Sequence, residues 1–155
     1  MKNLSLILGV LILLAIGAKA QVTLNEKGLY QDKDGALYTG VLETTENNQK
    51  CVIEVRDGYA NGEAKYYYAS GKLMEIGFFE NGLKNGKWLR YNESGIAVGL
   101  ALFTAGKKNG TCLVWDDKGR KLFEMHYANG EKTGTWFNWD DKGVLIGSKD
   151  FGNAN

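Results

Sequence analysis

The sequence predicts an all-β, single-domain repeat array, in which antiparallel β-hairpins lie side by side as an open meander sheet. Three observations carry this. Glycines recur in three sets at a constant spacing of 24 residues: Gly58, Gly82, Gly106 and Gly130; Gly62, Gly86, Gly110 and Gly134; Gly71, Gly95, Gly119 and Gly143. Self-similarity at such a period marks a repeat architecture. The segments between the glycines are rich in Tyr, Phe, Trp, Val and Leu, which suits strands, and are too short for typical helices. The 155-residue chain contains 21 glycines and no proline, so turns are punctuated by glycine alone.

Residues 1–20 read as a secretory signal peptide. Lys2 supplies a short positive start, Leu4 to Ile16 is nearly unbroken apolar sequence, and Ala18-Lys19-Ala20 is a small-x-small cleavage site before Gln21. The apolar run is short for a spanning helix, which needs roughly 20 residues; an uncleaved anchor is the alternative. The expected location is periplasmic, cell-surface or secreted. Without Lys2 and Lys19, the 19 basic residues fall to 17 against 18 acidic, a formal charge of −1. No basic face is left for a phosphate backbone, so nucleic acid is not an expected partner.

Residues 21–57 read as an N-terminal cap and degenerate repeat. Asp32 to Gly35 forms a tight turn between two short strands, and Asn47-Asn48 is a further turn candidate before Cys51 to Val55. Terminal repeats are commonly atypical because they shield the ends of a stack.

Residues 58–151 hold four 24-residue repeats, each with two turns. A wider turn is expected at Gly58 to Gly62 and its equivalents. A tighter turn is expected at Tyr68 to Gly71, Asn92 to Gly95, Asp116 to Gly119 and Asp140 to Gly143, where Asp or Asn first and Gly last fits a type I turn closed by a left-handed residue. Strands are expected near 63–68, 72–80, 86–92, 96–104, 110–116, 120–128, 134–140 and 144–151. Residues 152–155 form a polar tail that, with Lys149 and Asp150, would protect the last strand edge.

Aligned repeats place Val55, Phe79, Phe103, Tyr127 and Phe151 in one column and Tyr67, Tyr91, Trp115 and Trp139 in another. Leu89, Leu113 and Phe137 lie two residues before members of the second column, and residues two apart in a strand share a face. Tyr67, Leu89, Tyr91, Leu113, Trp115, Phe137 and Trp139 are therefore the candidate binding face, expected to align as a ladder. Their simpler reading is core. A single sheet without helices leaves part of such a face uncovered, and exposed apolar patches mark partner surfaces.

Other candidates have structural explanations. His126 is the only histidine and reads as a half-buried strand residue. Asp116-Asp117 and Asp140-Asp141 occupy the tight-turn position, which favours Asp. Lys84, Lys87, Lys107, Lys108 and Lys132 cluster near the wider turns and would form a basic rim able to meet anionic lipid or an acidic partner. Cys51 and Cys112 are five strand steps apart, roughly 24 Å at about 4.8 Å per step, beyond the ~7 Å reach of a disulfide. They read as buried small hydrophobes; a bridge would require the sheet to curl fully round. No catalytic, metal-ligating or cofactor-binding residues are assigned, and the chain reads as a non-enzyme.

The pattern of Phe79, Asn81, Gly82, Gly86, Trp88, Tyr91 and Gly95, repeated at Tyr127, Asn129, Gly130, Gly134, Trp136, Trp139 and Gly143, resembles the bacterial MORN-variant repeat. Tyr38-Thr39-Gly40 resembles the segment preceding the first repeat in YwqK-type antitoxins. This resemblance implies a non-catalytic scaffold, in some members linked to phospholipid, and for the antitoxin-like branch neutralisation of a toxin by direct binding. Cys112 departs from the pattern, which has Trp there, and Tyr59-Ala60-Asn61 lacks its usual lysine. The expected function is exported protein–protein binding through the aromatic face; carbohydrate or lipid-headgroup binding and toxin neutralisation are the alternatives.

Overall fold

The computed structural model describes residues 13–15, 21–46 and 48–153, and their architecture is all-β. Fourteen strands run in chain order: β1 Leu13–Ala15, β2 Gln21–Leu24, β3 Tyr30–Gln31, β4 Gly40–Glu46, β5 Gln49–Arg56, β6 Tyr59–Tyr67, β7 Leu73–Glu80, β8 Leu83–Tyr91, β9 Ala97–Thr104, β10 Lys107–Lys108, β11 Gly110–Trp115, β12 Lys121–Ala128, β13 Glu131–Trp139 and β14 Leu145–Asp150. From β4 to β14 each strand pairs antiparallel with its chain neighbour, β10 and β11 both pairing β9, so the sheet is an open meander. Three residues of the expected leader, β1, pair between β2 and β4. The expected cleavage site, Asn47 and the last two residues of the tail lie outside the described residues.

The tight turns form as expected. Gly71 N–H donates to the Tyr68 carbonyl at 2.8 Å, and the same bond recurs at Asn92–Gly95, Asp116–Gly119 and Asp140–Gly143. In the last three the leading side chain holds the turn: Asn92 Oδ1 accepts from the N–H groups of Ser94 and Ile96, Asp116 Oδ1 from Lys118 and Arg120, and Asp140 Oδ1 from Lys142 and Val144. Just beyond each turn the partner strand carries one extra residue: Met74, Val98, Leu122 and Ile146.

The wider turns do not form. Asp57-Gly58, Asn81-Gly82, Ala105-Gly106 and Asn129-Gly130 each take positive φ at both positions, from 47° to 92°. This is the two-residue type I′ link, whose twist matches that of the flanking strands. Strand β6 consequently starts four residues earlier than expected, and β8 and β13 three residues earlier. The second glycine set lies inside the strands, where the register slips: Ile76 pairs with Leu89 but Phe78 with Asn85, leaving Gly86 within a bulge. At Gly62 an added Cβ would meet the Glu54 side chain that crosses beneath it.

The register defines two faces. One carries Ala64, Gly77, Trp88, Ala101 and Cys112: Ala64 opposes Gly77, the Trp88 ring lies against Gly77, Trp88 opposes Ala101, and Cys112 precedes Leu113, the partner of Leu100. It is called the Trp88 face here. Its N-terminal part is the core: Val22, Leu42, Ile53, Val55, Ala60, Ala64 and Trp88 form one buried cluster, with Tyr30 and Tyr38 packed against it. The segment 21–38 thus folds over the sheet and is tied down by backbone bonds from Tyr30 N–H to the Gly58 carbonyl (2.9 Å) and from Gly58 N–H to the Tyr38 carbonyl (2.9 Å).

Candidate functional site

All seven candidate residues lie on the opposite face, each half-buried. Leu89 sits in an apolar row in which Ile76, Leu89, Leu100 and Leu113 oppose one another across β7, β8, β9 and β11. The row continues through Glu124 to Phe137. The expected same-face pairing is visible at Phe137 and Trp139, whose ring centroids are 6.0 Å apart. Strand–strand packing runs between neighbours in the sheet, so no second layer of described residues covers this face.

The Tyr67 column does not stack as a ladder. Tyr67 pairs with Leu73, Tyr91 with Ala97, Trp115 with Lys121 and Trp139 with Leu145. Each hairpin places a whole strand between equivalent residues, so column members stand two strand spacings apart, roughly 10 Å. Lys121 fills one such interval. Its Nζ lies 4.0 Å from the Trp139 ring centroid and 2.7 Å from Glu124 Oε2.

Ring-to-ring packing from strand to strand occurs instead on the Trp88 face. Trp88 meets Phe79 at 5.1 Å and Phe103 at 6.3 Å between centroids, and Trp136 meets Tyr127 at 5.1 Å and Phe151 at 4.7 Å. Trp88 is 3% exposed because Gly77 beneath it has no side chain. The indole N–H donates to the Phe78 carbonyl at 3.2 Å, and that of Trp136 to the His126 carbonyl at 3.0 Å. The Phe79 column was legible as a 24-residue series. Its importance lies in the register against Trp88, which the spacing of one strand does not show.

Three of the five lysines expected on a rim belong to this face. Lys84 Nζ lies 3.6 Å from the Trp88 centroid and 5.5 Å from that of Phe103, Lys108 lies 4.8 Å from Tyr127, and Lys132 lies 4.7 Å from Trp136 and 5.2 Å from Phe151. The two-residue turns explain this. Strands begin early enough to include these lysines, and alternation turns them onto the rings. Lys84 also bonds Glu75 at 2.9 Å. Lys87 and Lys107 remain exposed.

The remaining candidates serve local structure. Asp116 bonds the Arg120 backbone and guanidinium, which hold its carboxyl well below the usual range, at about 2. His126 Nδ1 is 3.2 Å from Thr111 Oγ1, and its Nε2 is 3.6 Å from Glu124. No group of three or more metal-ligating side chains occurs among the described residues. Both cysteines are free thiols. Burial pushes the Cys51 thiol up to about 11, against a hydrogen bond with Tyr66 that opposes the shift.

A cavity of about 210 Å³ opens on the Trp88 face, lined by Trp88, Ala101, Phe103, Lys108, Cys112 and Met125 among others. Sequence reasoning did not find it.

The family described as MORN repeat variant matches residues 60–81. That span is the β6–β7 hairpin from just inside its first strand to the next turn. No curated protein matches the chain. The chain is thus similar to MORN-repeat proteins over one hairpin, and its later hairpins restate that unit every 24 residues.

Proposed function

We propose that this chain is an exported, non-enzymatic binding protein that holds a partner polypeptide on the face carrying Leu89, Tyr91, Leu113, Trp115, Phe137 and Trp139. The observation that supports this is the uncovered apolar row through Ile76, Leu89, Leu100 and Leu113, bordered by the Tyr67 column. Tyr and Trp are enriched among residues that dominate binding energy. Export rests on the leader pattern of residues 1–20; amino-terminal sequencing of the secreted protein is expected to begin at Gln21.

The test is an envelope pull-down comparing wild type with a Tyr91→Ala, Trp115→Ala, Trp139→Ala variant that retains its β-sheet circular dichroism. The variant is expected to lose a specific partner. Identical partner lists from both proteins would sink the proposal. Capture of one small exported protein that is harmful alone and harmless in the complex would select the antitoxin-like form of this function. Binding to glycans or anionic liposomes that disappears with Trp115→Ala and Trp139→Ala would instead select a sugar or headgroup ligand.

A further inference from the structure

The near-neutral charge of the chain conceals a sorting of signs between the two faces of the sheet. From β7 to β14, register and strand alternation place Lys84, Arg90, Lys108, Lys132 and Lys149 on the Trp88 face, with Glu75 as its carboxylate. The opposite face carries both signs, as at Lys121 and Glu124. Glu75 is taken up by Lys84 at 2.9 Å. Lys108, Lys132 and Lys149 form no ion pair with a described residue and lie against rings instead.

Lys84, Lys108 and Lys132 form a comb. They are 24 residues apart and share one row across the sheet, where Phe79 opposes Lys84, Phe103 opposes Lys108 and Tyr127 opposes Lys132. A ring-bearing strand separates each lysine from the next, so the lysines stand two strand spacings apart, roughly 10 Å. The rings also hold them. Lysine stems lie along apolar surface while the ammonium stays wet, and the ring face attracts the charge. Cations ordered in advance bind an anion at lower entropic cost. An ammonium has three donors, so Lys84 can serve Glu75 and a ligand carboxylate together.

Such a comb fits an anion that recurs at its own spacing. A β-linked chain of hexopyranoses repeats after every second sugar, over much the same distance as two strand spacings, roughly 10 Å. An extended peptide crossing the strands would meet no free sheet edge, the usual source of its affinity. Single-stranded nucleic acid binds by stacking bases on open rings, whereas lysines already face Trp88, Tyr127 and Trp136. Sugar hydroxyls need neither an edge nor an open ring and stay hydrated on the outer side. We propose that the Trp88 face binds a linear acidic polysaccharide laid across the strands, with the carboxylate of every second sugar paired to Lys84, Lys108 and Lys132 in turn. This face lies opposite the proposed partner surface, and the inference does not rest on that surface.

The experiment titrates the full chain with hyaluronan oligosaccharides, which carry one carboxylate per disaccharide, by calorimetry at low salt. Affinity is expected to rise with each added disaccharide up to about six sugars, the length that spans three lysines, and then to level off. It is expected to fall as salt is raised. Lys108→Gln and Lys132→Gln are each expected to weaken binding of the hexasaccharide about 2- to 5-fold. Lys107→Gln, on the opposite face, and the Trp115→Ala, Trp139→Ala pair are expected to leave it unchanged. Lys132 is exposed, so its variant keeps the test open should Lys108→Gln not fold. A neutral chitin hexasaccharide is expected not to bind. No binding of hyaluronan, affinity independent of its length, or an equal loss from Lys107→Gln would each overturn the proposal. Tighter binding of oligothymidylate or polyglutamate of matched charge would also overturn it, and would assign the face to a nucleic acid or an acidic polypeptide.

Discussion

Trp88 and Gly77 pack against each other with no room for a side chain at Gly77. A methyl group added at Gly77 would overlap the Trp88 indole, although Gly77 has no unusual backbone angle. Gly71 is the opposite case, with open space around it and φ of 80°. Gly77→Ala is therefore expected to cost about 1–3 kcal/mol through overpacking, and Gly71→Ala about 1–2 kcal/mol through a left-handed backbone. Trp88→Ala, at a buried site, is expected to cost about 3–5 kcal/mol. Combined with Trp88→Ala, the Gly77→Ala penalty should vanish in urea unfolding while the Gly71→Ala penalty persists. Persistence of both would show that Gly77 is not there to admit the indole. The sequence displays both glycines equally. Only the 24-residue recurrence of Gly71 identifies it as a turn, whereas the reason for Gly77 lies on a strand 11 residues later.

Three of the repeat tight turns are held by an Asx acceptor, at Asn92, Asp116 and Asp140, and Asp116 also bonds the Arg120 guanidinium. The Asp116 pKa is depressed to about 2, chiefly by the Arg120 backbone N–H and then by the guanidinium. A carboxyl with a folded pKa below its unfolded value contributes stability above the unfolded pKa and loses it as pH falls through the folded one. Wild-type Tm is therefore expected to include an Asp116-dependent decline between about pH 5 and pH 2. Asp116→Asn keeps the Oδ1 acceptor, as Asn92 does in the preceding repeat, and should flatten that part of the profile. Parallel Tm–pH curves for the two proteins would refute the assignment. The tight turns were legible because their geometry is set within four residues. The other links were not, because Asp57-Gly58 and Gly62 together look like one wide turn; the type I′ link and the bulge separate only when β5 and β6 pair.

At the scale of the whole molecule, stability is graded along the array. The buried cluster lies under the N-terminal segment between β4 and β8, whereas Val144, Leu145 and Ile146 at the β14 edge are more than half exposed. In an array that joins only neighbours, opening begins where few apolar contacts hold a unit. Native-state hydrogen exchange is expected to be slowest in β5 to β8 and fastest in β14, and uniform protection would contradict this gradient. The sequence by itself determined the all-β class, the 24-residue hairpin repeat, the left-handed tight turns and the shared face of the seven candidate residues. These follow from backbone sterics and the two-residue strand period, which act locally. The tertiary structure alone decided that the Tyr67 column is interleaved rather than stacked, that Lys84, Lys108 and Lys132 cover rings, and that Gly77 admits the Trp88 indole. Those outcomes depend on register between strands, and register is settled by pairing across the sheet rather than by the order of residues within one strand.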